Sequence, residues 1–412
     1  MSRSKRFSRS IKGLLIVVLT IWLAGCSPLL TGDMKFQMGD YPGAITDLTT
    51  YLETHPDSFQ GHYMLGRTYL EAGDAAKAAS TLEQALALKP GDAEAIIYLG
   101  LAYVAQDNYE MAITTLAQFK DNDRPIVAAA VKKQLTLLKI AQSKKQAKAA
   151  LASEKSLAGT RPAGNTYAVC YYADKSPEKD MQAFSKALAA MTISNLSKID
   201  SIQIVERLRL QALLEEMALG QTGVVDPATA PRTGKLLGAE NIVTGSLSGD
   251  IQAVTALASA SRARVIGNAA VTVNQDNFFQ LPGAIAADVA EIKGISLTPS
   301  EKKAIGAIHT RSMDAVLYYG KALNALDQED WKTALNYFNK AIAADPGFEL
   351  AILGREACPD DSSEGMSSPE KMAPQQMKAQ IESNVNDAVE DQNEADEAAK
   401  DSLSGGGSGG GH

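Results

Sequence analysis

The chain has 412 residues, 45% apolar and only 6% aromatic, with 40 basic against 48 acidic residues and a formal net charge of −8. This length accommodates two or three domains, the apolar share can fill a sizeable core, and the acidic balance excludes long-range attraction to nucleic acid. Few aromatics combined with abundant alanine predict closely packed helices with small residues at their contacts.

The first stretch is a leader. Arg3, Lys5, Arg6, Arg9 and Lys12 precede an apolar run over residues 14–23, followed by Leu23-Ala24-Gly25-Cys26. A basic start, an apolar run too short to span a bilayer and a small-residue cleavage site read as an export signal. With the cysteine directly after Leu-Ala-Gly, the segment resembles a bacterial lipoprotein signal. The resemblance implies cleavage before Cys26, a diacylglycerol on its thiol and a further acyl chain, palmitate in class, on the new amino terminus. Two or more chains give stable anchoring, each buried methylene contributing about 0.8 kcal/mol. Ser27 stands where that family carries an aspartate for inner-membrane retention, so the resemblance implies an outer-membrane lipoprotein facing the periplasm. Cys170 and Cys358 then lie in an oxidising compartment that permits a disulfide. Their settings, an apolar run and the edge of a polar tail, favour two unpaired small hydrophobes. His55, His62, His309 and His412 are scattered without zinc-ligand spacing, so neither a metal nor a cofactor is expected beyond the lipid on Cys26.

From there the chain repeats. Gly32, Gly66 and Gly100 recur at a step of 34, as do Asp40, Asp74 and Asn108, Ala44, Ala78 and Ala112, and Leu48, Leu82 and Leu116. Pro56 and Pro90 close two units, and Pro125 closes the third one residue late. This period resembles a tetratricopeptide (TPR) array of helix–turn–helix units over residues 26–124. Gly39-Asp40, Gly73-Asp74 and Asp107-Asn108 are its predicted turns. By the motif's register the groove of such an array is lined by Gln60, Tyr63, Arg67, Glu94, Ile97 and Leu101, which the resemblance makes a docking face for a protein segment. Residues 125–164 read as a capping helix and linker. Ile126, Val127, Ala130, Val131, Leu135 and Leu138 form its apolar stripe, and Lys144, Lys145, Lys148 and Lys155 a solvated face.

The period changes at Thr166. Tyr167-Ala168-Val169-Cys170 is strand-like, Ser176-Pro177-Glu178 reads as a helix start, and further strands and helices alternate to about residue 297. That order predicts an α/β sandwich on a small sheet. Val205-Glu206-Arg207, then Ala212-Leu213-Leu214-Glu215-Glu216, then the run from Thr233 to Ser246 resemble the CsgG-like domain of curli-secretion and related envelope lipoproteins. The assignment spans residues 165–297, carries no catalytic residues and implies homo-oligomerisation as one use of the domain. Channel-forming relatives add long hairpins. Here residues 251–273 could supply one, but Gln252, Ser259, Arg262 and Arg264 spoil a lipid-facing stripe, so a sheet-edge hairpin is favoured over a pore.

Thr298-Pro299-Ser300-Glu301 is a capping box. Tyr318, Ala322, Ala334, Phe338, Ala341 and Pro346 fall on TPR spacing within residues 298–356. One such unit cannot bury its own face, so it must pack on the middle domain, on the first array or on another copy. Residues 357–412 read as an acidic, Gly/Ser-rich tail. A marginal helix is open over residues 375–399, but solubilising disorder is favoured over a binding arm. The fold class is thus α+β multidomain. Gly-x-Ser-x-Gly occurs only within the Gly/Ser end, at residues 406–410, where no strand-to-helix turn is predicted, and no Walker loop or His-Glu-x-x-His occurs. The expected function is a non-enzymatic, lipid-anchored adaptor that docks protein partners in an envelope assembly or secretion system. The alternative is a CsgG-like oligomeric secretion channel.

Overall fold

The computed structural model describes residues 27–120, 123–157, 161–176, 181–217, 224–248, 251–359 and 374–404. The leader with Cys26, the Pro177-Glu178 helix start and the Gly/Ser end all lie outside these residues. The chain divides into two units, Met1–Ala128 with Ala373–His412, and Ala129–Met372.

In the first unit six helices pair in order: α1 Pro28–Gln37, α2 Tyr41–Thr54, α3 Phe59–Glu71, α4 Ala75–Leu88, α5 Ala93–Ala105 and α6 Tyr109–Leu116. The turns are those the repeat demands. Gly39 and Gly73 have φ of 77° and 83° and Asp107 has 58°, the left-handed conformation that glycine adopts freely and Asp or Asn tolerate. The following Asp40, Asp74 and Asn108 cap the next helix, each side chain accepting from the N–H three residues on. Within each pair, Leu48, Leu82 or Leu116 presses onto Gly32, Gly66 or Gly100. A Cβ at any of these glycines would fall 2.6–2.7 Å from the leucine Cγ.

All of α7 Pro125–Ala152 beyond Ala128, and the short α8 Glu154–Leu157, belong to the other unit. There the sheet is mixed, in order β3-β1-β4-β5-β6, with β1 Thr166–Val169, β2 Ala173–Asp174, β3 Gln203–Ile204, β4 Asn241–Ser248, β5 Gln252–Ser259 and β6 Arg264–Thr272. β1 runs parallel to β3 and β4, while β4, β5 and β6 are antiparallel. Alternation along the first strand explains its continuous apolar run. Tyr167, Val169 and Tyr171 enter one core, with Phe184, Leu188 and Met191 of α9 Gln182–Leu196 and Ile285 and Val289 of α12 Leu281–Lys293. Ala168 and Cys170 enter the other, with Leu210, Leu213 and Leu214 of α10 Arg207–Glu216, Leu236 and Leu237 of α11 Ala230–Leu237, and Ala147 of α7. The result is the α/β sandwich that the alternation predicts.

Gly245 admits a close neighbour, since a Cβ there would lie 2.2 Å from the Val254 carbonyl oxygen. Gly238 ends α11 at φ 66°, and Gly238→Ala should cost about 1 kcal/mol in chemical denaturation, the strain of a Cβ in that conformation. The β5–β6 hairpin completes the sheet edge. β5 is buried along most of its length and β6 alternates between exposed and half-buried positions.

Three readings change here. The lysine face of α7 is not simply solvated. Lys144 pairs with Glu329, Lys139 with Glu206 at 3.0 Å, and Lys148 approaches Glu216 at 3.8 Å. Ala147, Ala150 and Leu151 pack the end of the helix into the sandwich and these pairs flank them, where sequence implied only a cap and connector. Second, the last helical hairpin packs on the middle domain, one of the three seats expected for it. It comprises α14 Met313–Asp327 and α15 Trp331–Ala344, preceded by α13 Pro299–Ile305 with its full capping box and followed by α16 Glu349–Ala357. α14 packs on α9 so tightly that a Cβ at Gly320 would meet the Ala183 carbonyl oxygen at 1.8 Å. Third, residues 374–404, where disorder was favoured, form helix α17 Pro374–Ser404 in the first unit.

No disulfide joins Cys170 and Cys358. Cys170 is a buried thiol pushed up to about 12 by desolvation, and the Cys358 S–H donates to the Trp331 carbonyl oxygen at 3.9 Å. Among the described residues no helix is long and apolar enough to cross a membrane, and no group of three His, Cys, Asp or Glu could hold a metal ion.

Candidate protein-docking groove

In the first unit the leading helices of successive repeats, α1, α3, α5 and the start of α7, present the face on which the groove residues were placed. Helical spacing puts Gln60, Tyr63, Arg67 and Glu71 on one side of α3, and Glu94, Ile97, Tyr98 and Leu101 on one side of α5. The structure brings most of these together. Ile97 and Leu101 are buried, and the buried Tyr63 hydroxyl donates to Glu94 Oε2 at 2.7 Å. Burial pushes the Tyr63 phenol well above its ordinary range, so it serves as a donor to the carboxylate. Glu94 is exposed, with Arg124 3.9 Å from its other oxygen. Gln60 is exposed at the start of α3.

Arg67 sits among three rings, with its guanidinium carbon 4.6 Å from the Tyr98 centroid, 5.1 Å from Phe36 and 5.4 Å from Tyr63. Among the described residues its buried Nε has no hydrogen-bond partner, so the ring faces supply much of what holds the cation. Burial works against the charge, yet Tyr98, Tyr63 and Glu94 outweigh it and keep the guanidinium above its ordinary range. Sequence reasoning found Arg67 and Tyr63 but missed Phe36 and Tyr98. These are aromatic in only one repeat each, so the periodicity does not mark them. Tyr63→Phe should cost about 1 kcal/mol. A double-mutant cycle with Glu94→Ala, which removes the acceptor, should recover most of that as coupling in urea denaturation.

The groove also contains what sequence reasoning set aside. α17 packs on α5. Met377, Ile381, Val385, Ala388 and Gln392 are its buried residues, at 0–6% exposure, spaced four, four, three and four apart. Lys378 Nζ bonds Glu71 Oε1 at 2.7 Å, on the same side of α3 as Tyr63 and Arg67. Gln392 Oε1 accepts from the Ile126 N–H at 3.0 Å, satisfying an open donor at the start of α7. The spacing was visible in the sequence, but the surrounding acids and alanines obscured it.

The sequence profile of the curli production assembly/transport component CsgG matches residues 139–276. Two tetratricopeptide repeat profiles match residues 29–93 and 69–135. The chain joins a TPR array to a CsgG-like domain. The CsgG match begins inside α7, at the half of that helix that packs into the sandwich. No curated protein matches the chain. Among solved structures, MamA is similar at 20% identity, covering 50% of this chain and 92% of its own, with a TM-score of 0.24. PilF of Pseudomonas aeruginosa is similar at 14% identity over 79% of this chain and 94% of its own, TM-score 0.26. Yeast Tom70 is similar at 18% identity over 88% and 73%, TM-score 0.25.

Proposed function

We propose that this protein is a non-enzymatic, lipid-anchored adaptor of the outer membrane, facing the periplasm, that docks a protein segment on the TPR groove within an envelope assembly or secretion system. The observation that carries this is the α3–α5 face. An apolar floor of Ile97 and Leu101 lies beside a fixed hydrogen-bonded pair and a ring-held cation, the mixture that binds and orients a peptide. The CsgG-like domain supplies a second contact or self-association. The profile match supports that role, and the leader ending at Cys26 supports the anchor. A secretion channel fits less well, because the β5–β6 hairpin is already used to complete the sheet.

Two experiments test this. Affinity isolation of the full chain from solubilised envelopes should recover a specific protein, and the paired change Gln60→Ala with Glu94→Lys should reduce its recovery severalfold. Equal recovery with both chains, or no specific protein, contradicts docking at this face. Separately, Cys26→Ser should leave the leader unprocessed by lipoprotein maturation and shift the chain out of the outer-membrane fraction. Normal processing and retention after a high-salt, alkaline wash contradict the anchor.

A further inference from the structure

We propose that α17 is a built-in occupant of the TPR groove, and that the external ligand of the groove is an amphipathic helix of a protein partner that must displace it. The inference rests on the docking reading and extends it to the chemistry of the partner and a means of regulation. The geometry favours a ligand-like helix over an integral one. α17 follows the last TPR unit in sequence by more than a dozen residues, yet belongs to the first unit, and it engages α3, α5 and α7 in turn. Those are the leading helices, where TPR arrays present their groove.

Among the described residues its contacts take a helix-in-groove form: a narrow stripe of apolar and small residues, with a charge pair towards one end and an amide towards the other. Within the helix Lys378 pairs with Glu382 at 2.7 Å, Gln380 with Asn384 at 3.2 Å and Gln392 with Asp396 at 2.9 Å. Such i,i+4 pairs help a helix persist when it leaves its seat. Lys378 sits between Glu71 and Glu382, which hold its ammonium above its ordinary range despite burial. A partner helix should therefore carry apolar residues at steps of four, four and three, with a basic residue one position after the first. Because α17 is tethered, its effective concentration is about millimolar, and a free helix is weakened by the fraction of chains whose groove is filled.

The test uses a fluorescein-labelled peptide of residues 374–397 and the full chain. The peptide should bind a chain carrying Ile381→Glu and Val385→Glu at least tenfold more tightly than it binds wild type. A peptide with Lys378→Glu should bind that variant several-fold more weakly, and adding Glu71→Lys to the chain should restore the affinity. Equal affinity for wild type and variant, or indifference to the charge exchange, overturns the inference. So does loss of hydrogen-exchange protection in α3 and α5 of the variant, which would make α17 a permanent part of the array. None of these outcomes touches the Gln60 and Glu94 isolation experiment, so this inference and the docking reading fail separately.

Discussion

Asp327→Ala is expected to destabilise the second unit by about 3–5 kcal/mol, the usual consequence of stripping a buried charge cluster of its counter-ion. Asp327 ends α14, and its side chain is 2% exposed. Its carboxylate receives Lys186 Nζ of α9 at 2.8 Å and Arg207 Nη1 of α10. Lys186 also donates to Asn324 Oδ1 at 2.9 Å, and Arg207 to the Tyr171 hydroxyl at 3.1 Å. Two cations from the CsgG-like domain thus converge on one anion from the last TPR unit. Burial disfavours the Arg207 charge, but Asp327 outweighs it and holds the guanidinium above its ordinary range. Removing the anion leaves both cations in a dry site. Lys186→Met removes one cation while Arg207 keeps its partner, so it should cost less than about 2 kcal/mol. Urea denaturation gives the two values, and hydrogen exchange in α9 and α14 locates them. A cost for Asp327→Ala below that for Lys186→Met would show that the cluster does not fasten these elements together.

The second large effect is expected in the array. Gly66→Val places a Cβ 2.6 Å from Leu82 Cγ and 3.3 Å from the Leu82 amide nitrogen, before its two methyls are counted. Overpacking of this kind costs about 1–3 kcal/mol. Here the high end is expected, because Leu82 is fully buried between α3 and α4 and has nowhere to turn. Repeats lean on their neighbours, so the loss should spread to α5 and weaken the groove. Leu82→Ala in the same chain should recover part of the stability by vacating the space. Failure of that double substitution to improve on Gly66→Val would mean that glycine is required there for some reason other than the leucine above it.

How much of this was legible follows from what repeats and what does not. The array could be read because each contact recurs. The leucine against Gly32 is the leucine against Gly66 and Gly100, and each Asp or Asn after the turn is a cap. The sandwich could be read from strand alternation, as in Tyr167 and Val169 against Ala168 and Cys170. What was not legible is pairing at long range between single residues. Lys186 and Arg207 show nothing in sequence to tie them to Asp327, 141 and 120 positions away. The α7 lysines look solvated until Glu329, Glu206 and Glu216 are brought to them. Tyr98 and Phe36 are visible, but their convergence on Arg67 depends on how α1, α3 and α5 stack. α17 was the largest miss. Its stripe lies in a segment whose average composition resembles disorder, and averaging hides five well-spaced residues.

The central claim is that the α3–α5 face holds helices of other proteins. The most direct measurement is in-cell photo-crosslinking from position 60 in wild type and in the chain carrying Ile381→Glu and Val385→Glu, with adducts identified by mass. The account predicts one heterologous protein adduct, stronger when α17 is released, with the crosslinked peptide falling in an amphipathic helix. Only intrachain adducts in both forms, or none, would contradict it.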